Sequence, residues 1–231
     1  MKKLLLLLLT TLISMAIELP KSINTEIETV EKNSKVKLTQ DIPKGMSGIV
    51  IHNYGNKLSA ITHRVISKGG GEASVEIYDA LGHEKIPQIK TAIKKGDKVI
   101  FGNLYNNTLL IAPNQHTYRD ITKKLKTNWI HPDSYAMFLI NNDQSKLSLD
   151  NLKKFSQQNQ IGLVAIVSKK SLLILDPISG QYLSEEPLSQ SSSEKIISPF
   201  YARFEQISHN IFSADEKKDF LEYYKGIKRL K

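Results

Sequence analysis

The sequence predicts an α+β protein in which an N-terminal antiparallel β-barrel or sandwich-like part precedes a small α/β part and a C-terminal helix. Two observations predict this class. Residues 25–112 contain short segments in which apolar and polar residues alternate, with turn residues between them, as is typical of antiparallel strands. After Pro113, apolar residues recur at helical spacing between continuous apolar runs, as is typical of an α/β unit.

The N-terminal segment has the order of a secretory signal peptide. It begins with a basic pair, continues with an apolar run from Leu4, and ends in small residues at Ser14 and Ala16. We expect residues 1–16 to be removed by cleavage after Ala16. The apolar run is about 13 residues long, whereas a spanning helix needs about 20, and a short membrane anchor is the alternative. The sequence therefore predicts export to the periplasm, the outer membrane or the cell surface.

Residues 17–113 are predicted to form the β-rich domain. The strands with the clearest alternation are 25–31, 35–40, 48–54, 58–67 and 73–78. Turn residues around Asn33 suit a hairpin between the first two strands. Residues 98–101 and 108–111 are expected to pair with each other. Seven or eight such strands favour a sheet that curls into a small barrel or sandwich.

Residues 114–184 are predicted to form the α/β domain. The helices are predicted from apolar residues at helical spacing, and the strands from continuous apolar runs that suit burial on both faces. The elements are a helix over 117–126 with Thr117 and Asp120 as a capping pair, a strand over 135–140, a helix entered through Ser148, and strands over 163–167 and 172–175.

The C-terminal region is predicted to consist of a Ser-rich linker over 185–195 and a final segment over 196–231. This segment begins with a strand after Phe200 and ends as an amphipathic helix with a basic end. Ser213 and Glu216 have the spacing of a capping box at the start of that helix. Its apolar stripe consists of Phe220, Tyr223, Tyr224, Ile227 and Leu230.

The composition excludes several classes of protein. The chain has 231 residues, a net charge of +9 and no cysteine. The lack of cysteine excludes disulfides, thiolate metal sites, a cysteine nucleophile and a lipid anchor on an N-terminal cysteine. The two basic clusters, at 94–98 and 123–126, are expected to be a turn before a strand and the exposed face of a helix. Neither is interleaved with aromatic residues, so no nucleic-acid partner is predicted.

No catalytic motif is found in the sequence. The six histidines include no pair at helical metal-binding spacing, so neither a metal nor a cofactor is predicted, and the protein is not expected to be an enzyme. The segment 45–48 lacks the glycine spacing of a nucleophile elbow. His52 and His63 are expected to face solvent on neighbouring strands. A deep pocket holding either of them, or His131, beside a carboxylate would instead favour a hydrolase or a small-molecule binding protein.

Five segments carry a resemblance to a known family: 42–52, 59–61, 96–101, 109–114 and 199–201. With the predicted signal peptide, they resemble the plasminogen-binding protein N-terminal domain family of exported or surface proteins from Gram-negative bacteria. The resemblance covers roughly residues 20–210.

The resemblance implies binding of host plasminogen through lysines, notably a C-terminal lysine. Plasminogen's kringle modules hold an anionic centre, an aromatic trough and a cationic edge, and a terminal lysine offers an ammonium and a carboxylate to match them. The residues expected to carry this binding are Lys225, Lys228, Arg229 and Lys231. The alternative is a structural or assembly protein of the periplasm or envelope that binds no host protein.

Overall fold

The fold was obtained as a computed structural model that describes residues 17–78, 91–142, 147–168, 170–188, 197 and 200–203. Within these residues the chain forms a closed antiparallel barrel, a second sheet and three helices. The predicted α+β class is therefore confirmed. The predicted signal peptide and the predicted C-terminal helix lie outside the described residues.

The barrel contains six strands in the described part of the chain, in the order β1-β2-β5-β4-β3-β6. They are β1 (Ile23–Val30), β2 (Lys35–Leu38), β3 (Ser47–Gly55), β4 (Leu58–Gly69), β5 (Glu72–Ile77) and β6 (Lys98–Phe101). All neighbouring strands are antiparallel. Because β6 pairs with both β1 and β3, the sheet closes and has no free edge.

Two hairpin turns in the barrel use left-handed backbone conformations. Asn33 and Ser34 have φ values of 60° and 57° between β1 and β2, and Asn56 and Lys57 have values of 49° and 62° between β3 and β4. Positive φ at both central positions gives a turn whose twist matches that of the flanking strands. The predicted hairpin around Asn33 is confirmed.

The second sheet has the strand order β11-β10-β9-β7-β8. Its strands are β7 (Asn107–Ile111), β8 (Asn128–Ile130), β9 (Leu163–Val167), β10 (Ser171–Asp176) and β11 (Gln181–Pro187). Strand β7 runs parallel to β8 and β9, whereas β10 is antiparallel to β9 and β11. The predicted strands over 163–167 and 172–175 are confirmed as β9 and most of β10.

The predicted pairing of residues 98–101 with 108–111 is wrong. Strand β6 pairs with β1 and β3 in the barrel, and β7 pairs with β8 and β9 in the second sheet. Gly102, with a φ of +65°, begins a turn in which its carbonyl accepts from the backbone N of Tyr105, and this turn leads the chain out of the barrel. The apolar residues of β7 are buried on both faces, which suits the centre of a sheet between parallel neighbours.

The second sheet lies between two cores. Leu110, Ala165 and Ile174 pack on one face in a core that they share with barrel residues. Leu109 and Val164 pack on the other face in a core that they share with helical residues. Successive residues of a strand point to opposite faces, so the apolar residues of the central strands β7, β9 and β10 are covered on both faces. The division of the chain near Pro113 remains a prediction, although β7 precedes it and belongs to the second sheet.

Three helices accompany the second sheet in the described residues: α1 (Gln115–Lys124), α2 (Pro132–Asn141) and α3 (Leu149–Asn159). The predicted entry of α3 is confirmed, since Ser148 Oγ accepts from the backbone N of Asn151 at 3.1 Å. The capping pair predicted for α1 is wrong. The helix begins earlier than expected, and Asn114 Oδ1 accepts from the backbone N of Thr117 at 2.9 Å.

The strand predicted over 135–140 is wrong, because these residues lie in α2. Pro132 occupies the first turn, and His131 caps the helix by accepting from the backbone N of Asp133 at 3.2 Å. Tyr135 is fully buried, whereas Met137 is 41% exposed, as expected of one helix with an inner and an outer face. A short apolar run has no decisive period, and the signals for a helix precede the run.

The described C-terminal residues only partly overlap the predicted elements. Glu185, Glu186 and Pro187, expected in the linker, form the end of β11. Residues 200–203 belong to no strand, and the rest of the strand predicted after Phe200 lies outside the described residues. Among the described helices, none has the length and apolar character needed to cross a membrane.

Candidate functional site

The predicted binding residues Lys225, Lys228, Arg229 and Lys231 lie outside the described residues. The structure does describe how the segment that precedes them is attached. Its last described residue is Arg203, and the segment 200–203 lies against the end of β7 and against α2.

Buried aromatic side chains hold this C-terminal segment. Phe200 and Tyr201 are only 3% and 6% exposed. The backbone N of Tyr201 donates to Ala112 O at 2.7 Å, just beyond β7. The ring of Phe200 stacks on that of Tyr135 in α2, with 5.7 Å between centroids. Burial of two aromatic side chains is a substantial apolar contribution, so the segment is a packed part of the fold.

The polar part of this attachment is the Asp133 cluster, which we define as His131, Asp133 and Arg203. Arg203 donates from its backbone N to Asp133 Oδ1 at 2.8 Å and from Nε to Asp133 Oδ2 at 2.6 Å. Burial alone would raise the pKa of the Asp133 carboxyl. The hydrogen bonds from Arg203, with the charges of Arg203 and of His131 in its protonated form, outweigh burial and lower that pKa below its ordinary value.

His131 has two contacts with Asp133 in the same cluster. In its neutral form, its Nδ1 accepts a hydrogen bond from the backbone N of Asp133 at 3.2 Å. The same Nδ1 lies 3.2 Å from Asp133 Oδ2, to which it donates when protonated. Burial lowers the pKa of His131, and the charge of Arg203 lowers it further, against the opposing effect of Asp133. The rings of Tyr118 and Tyr201 lie 5.1 and 6.0 Å from the His131 ring and cover it.

The two basic clusters lie where the sequence predicts them. Lys94 and Lys95 precede β6 in a turn, whereas Lys123, Lys124 and Lys126 lie at the end of α1 and just after it. All five lysines are exposed. They are therefore accessible cations on the described surface.

The prediction that His52 faces solvent is wrong. His52 is only 8% exposed, because it lies two residues from the buried Val50 and points to the same face of β3. Its Nδ1 lies 2.6 Å from Asp97 Oδ1, and Asp97 Oδ2 accepts from the backbone N of Lys94 at 2.8 Å. His63 lies on the neighbouring strand; burial lowers its pKa, and the charge of Asp97 opposes that effect.

Two histidine–carboxylate pairs are thus present, although the sequence allowed none to be proposed. They are His52–Asp97 and His131–Asp133. Asp97 also accepts from the backbone N of Lys94 within the turn before β6, and Asp133 accepts from the backbone N of Arg203, so each carboxylate fixes a piece of backbone. Within the described ranges, no group of three His, Cys, Asp or Glu residues is placed to hold a metal ion.

A large cleft separates the barrel from α3. It has a volume of about 1070 Å³ and is lined by β3, β4 and β5 on one side and by α3 on the other. None of the histidines His52, His63 and His131 lines it. Its cationic residues are Arg64, Lys153 and Lys154. Sequence reasoning missed this cleft because a Lys-Lys pair on one helix does not reveal which surface lies opposite.

Asp176 connects the two sheets beside this cleft. It is fully buried, and its carboxylate accepts four hydrogen bonds. Its Oδ2 accepts from the backbone N of Ser47 at 2.8 Å and from the hydroxyl of Tyr105 at 2.7 Å, while its Oδ1 accepts from the backbone N of Ile178 and Ser179 at 2.9 and 3.0 Å. Burial, aided by the Asp176 charge, raises the pKa of Tyr105, so the phenol remains a donor.

Comparison with known proteins gives a consistent result. The sequence model of the family described as "Plasminogen-binding protein pgbA N-terminal" matches residues 22–227. Two proteins from Helicobacter pylori strains J99 and 26695, each named plasminogen-binding protein PgbA, are 28% and 27% identical to this chain over 195 residues. The alignments cover 81% of this chain but only 43% and 42% of those proteins, so the chain spans less than half of their length. No solved structure gives a significant match.

Proposed function

Because this chain belongs to the family described as "Plasminogen-binding protein pgbA N-terminal", we propose that it is an exported protein that binds host plasminogen through lysine residues. The proposed contact residues are Lys231, Arg229, Lys228 and Lys225. In this proposal the protein acts at the bacterial surface and has no catalytic role.

The observation that carries the proposal is the extent of the family match. It covers residues 22–227 and so includes the barrel, the second sheet and most of the C-terminal segment. Two curated relatives are named for plasminogen binding. The chain spans less than half of each relative. Plasminogen is therefore proposed as the partner because the relatives are named for it, and shared sequence alone does not establish it.

The chemistry of lysine recognition explains the choice of residues. A kringle lysine site places an anionic centre and an aromatic trough against an ammonium on an apolar stem. In our proposal Lys231 presents both its ammonium and a terminal carboxylate. The packing of Phe200 and Tyr201 supports the proposal, because it attaches the chain to the fold 24 residues before Lys225.

The test is binding of the full chain to immobilised human plasminogen, followed by surface plasmon resonance. We expect saturable binding that the lysine analogue ε-aminocaproate abolishes. Trimming Lys231 with a basic carboxypeptidase, or the substitution Lys231→Ala, is expected to weaken binding by about tenfold or more, because the terminal group carries the paired charges. The matched control is Lys170→Ala, which removes an exposed lysine in the turn between β9 and β10.

Unchanged binding after trimming would contradict the terminal-lysine mechanism, and absence of any lysine-sensitive binding would contradict the plasminogen proposal as a whole. Localisation is tested separately by protease treatment of intact cells. Digestion on intact cells is expected for a surface receptor. Protection until the outer membrane is opened would instead favour the alternative of a periplasmic structural or assembly protein.

A further inference from the structure

The cleft between the barrel and α3 has the size of a binding site for an extended ligand. Its volume of about 1070 Å³ exceeds the upper end of the range for small-molecule pockets, which is about 1,000 Å³. It lies between strands β3 to β5 on one side and helix α3 on the other. A volume above that range suits a polypeptide segment better than a small compact cofactor.

The charge of the cleft is positive. Among its lining residues, the cations are Arg64, Lys153 and Lys154, and the anion is Glu76. Glu76 Oε1 accepts from Arg64 Nη1 at 3.0 Å, so its charge is already paired. Lys153 and Lys154 have no ion pair with any other described residue. Lys153 is half-buried and Lys154 is exposed. Lysines in such positions cover apolar surface with their stems and keep their ammonium groups in solvent, where an anion can meet them.

The cleft also offers apolar surface and exposed amide groups. Ile77, which is 51% exposed, and the half-buried Ile178 line it, and α3 adds the exposed amides of Gln157 and Gln158.

We propose that this cleft binds an extended acidic polypeptide segment that also carries aliphatic side chains. The adjacent lysines Lys153 and Lys154 match the carboxylates of such a segment. Ile77 and Ile178 match its aliphatic side chains, and the amides of Gln157 and Gln158 match its backbone. A sulfated glycan offers the charge but no aliphatic side chains for the isoleucines, so the polypeptide is the better match. This site is distinct from the lysine-mediated binding proposed above. There, lysines of this protein enter a pocket of the partner, whereas here the ligand enters a cleft of this protein.

The test uses the full chain and a fluorescein-labelled dodecapeptide of alternating Glu and Leu, followed by fluorescence anisotropy. We expect saturable binding that weakens as salt is added. The double variant Lys153→Glu with Lys154→Glu is expected to weaken binding by about tenfold or more. The matched control is Lys123→Glu with Lys124→Glu, which makes the same charge change at the exposed end of α1 and is expected to change affinity less than about twofold.

Circular dichroism and thermal melting establish that both double variants are folded. Three results would overturn the inference: no saturable binding of the Glu-Leu peptide, equal loss in both double variants, or equal binding of a Gln-Leu peptide of the same length. Tighter binding of a sulfated oligosaccharide than of the Glu-Leu peptide would also overturn it and would assign the cleft to glycans. Plasminogen binding of the Lys153→Glu, Lys154→Glu variant, measured in parallel, separates failure of this inference from failure of the proposed function.

Discussion

Arg203 donates two hydrogen bonds to Asp133, one from its backbone N to Oδ1 at 2.8 Å and one from its Nε to Oδ2 at 2.6 Å. The two residues are 70 positions apart in the chain. The carboxylate therefore orients both the backbone and the side chain at the last described residue of the C-terminal segment. This relationship links the packed body of the protein to the segment that leads toward the proposed binding residues.

The first prediction concerns this attachment. Asp133→Asn replaces one accepting oxygen by an NH₂ group that faces the donors of Arg203. We expect the backbone amides of Arg203 and Tyr201 to exchange with solvent at least about tenfold faster, because each loses the support of the charge-assisted contact. Native-state hydrogen exchange followed by NMR measures both amides.

The matched control for Asp133→Asn is Arg203→Gln. It removes the guanidinium but keeps the backbone N–H that donates to Asp133 Oδ1. Its effect on the Tyr201 amide is therefore expected to be smaller. Equal protection of Arg203 and Tyr201 in wild type and Asp133→Asn would show that the aromatic packing alone holds the segment.

The second prediction is a loss of stability in acid. The folded-state pKa of His131 lies below its ordinary value of 6.5, so the unfolded chain binds more protons as the pH falls. Its contribution is fully present above that value and is lost as the pH falls toward the lowered folded pKa. Asp133 acts in the same direction at lower pH, because its folded pKa lies below its ordinary value of 3.8.

The measurement is urea unfolding at a series of pH values between about 7 and about 5. In this window protonation of His131 affects the free energy of unfolding before protonation of Asp133 does. His131→Asn keeps a good helix-capping side chain but removes the titrating group, so we expect it to flatten the pH dependence of the free energy of unfolding. His63, whose pKa is also lowered by burial, leaves a residual slope. An unchanged slope in His131→Asn would exclude His131 as a source of the acid sensitivity.

The third prediction concerns Asp176, which joins β3 to the turn between β10 and β11. Tyr105→Phe removes one of its four donors and is expected to cost about 1–2 kcal/mol of unfolding free energy. Asp176→Ala leaves the hydroxyl of Tyr105 and three backbone N–H groups unpaired in a buried site, so it is expected to cost about 3–5 kcal/mol. Chemical denaturation at neutral pH measures both values.

Tyr54→Phe is the control for Tyr105→Phe, because Tyr54 is 43% exposed and water replaces its hydrogen bond to Thr91. It is expected to change the free energy of unfolding by less than about 0.5 kcal/mol. Equal stabilities of Tyr105→Phe and Tyr54→Phe would mean that the Tyr105 hydroxyl adds nothing to the connection between the sheets.

Much of the fold could be predicted where the signal is local. The hairpin around Asn33 depends on two adjacent residues that tolerate positive φ, and the entry of α3 depends on the hydroxyl of Ser148 three residues before Asn151. The strand predicted over 135–140 was wrong because a short apolar run fits a helix and a strand equally well. In that case Pro132 and His131, just before the run, decide the outcome.

The site could be predicted less well, because its contacts join distant parts of the chain. The sequence separation is 45 residues for His52 and Asp97, 70 for Asp133 and Arg203, and 71 for Tyr105 and Asp176. Local sequence patterns do not show which residues come into contact across such separations. The cleft is a further case, since Arg64 of β4 and Lys153 of α3 share it only after the barrel and the second sheet have packed together.

The sequence by itself determined the α+β class, most of the strands, two of the helices and the resemblance to a plasminogen-binding family, since these depend on short-range periodicity, turn residues and segment patterns. Only the tertiary structure decided that the barrel closes through β6, that β7 belongs to the second sheet, and that His52 and Asp176 are buried with partners. The physical reason is that strand pairing and buried polar contacts form only when the sheets and helices pack together. Packing then determines which apolar surfaces are covered and which buried polar groups find hydrogen-bond partners.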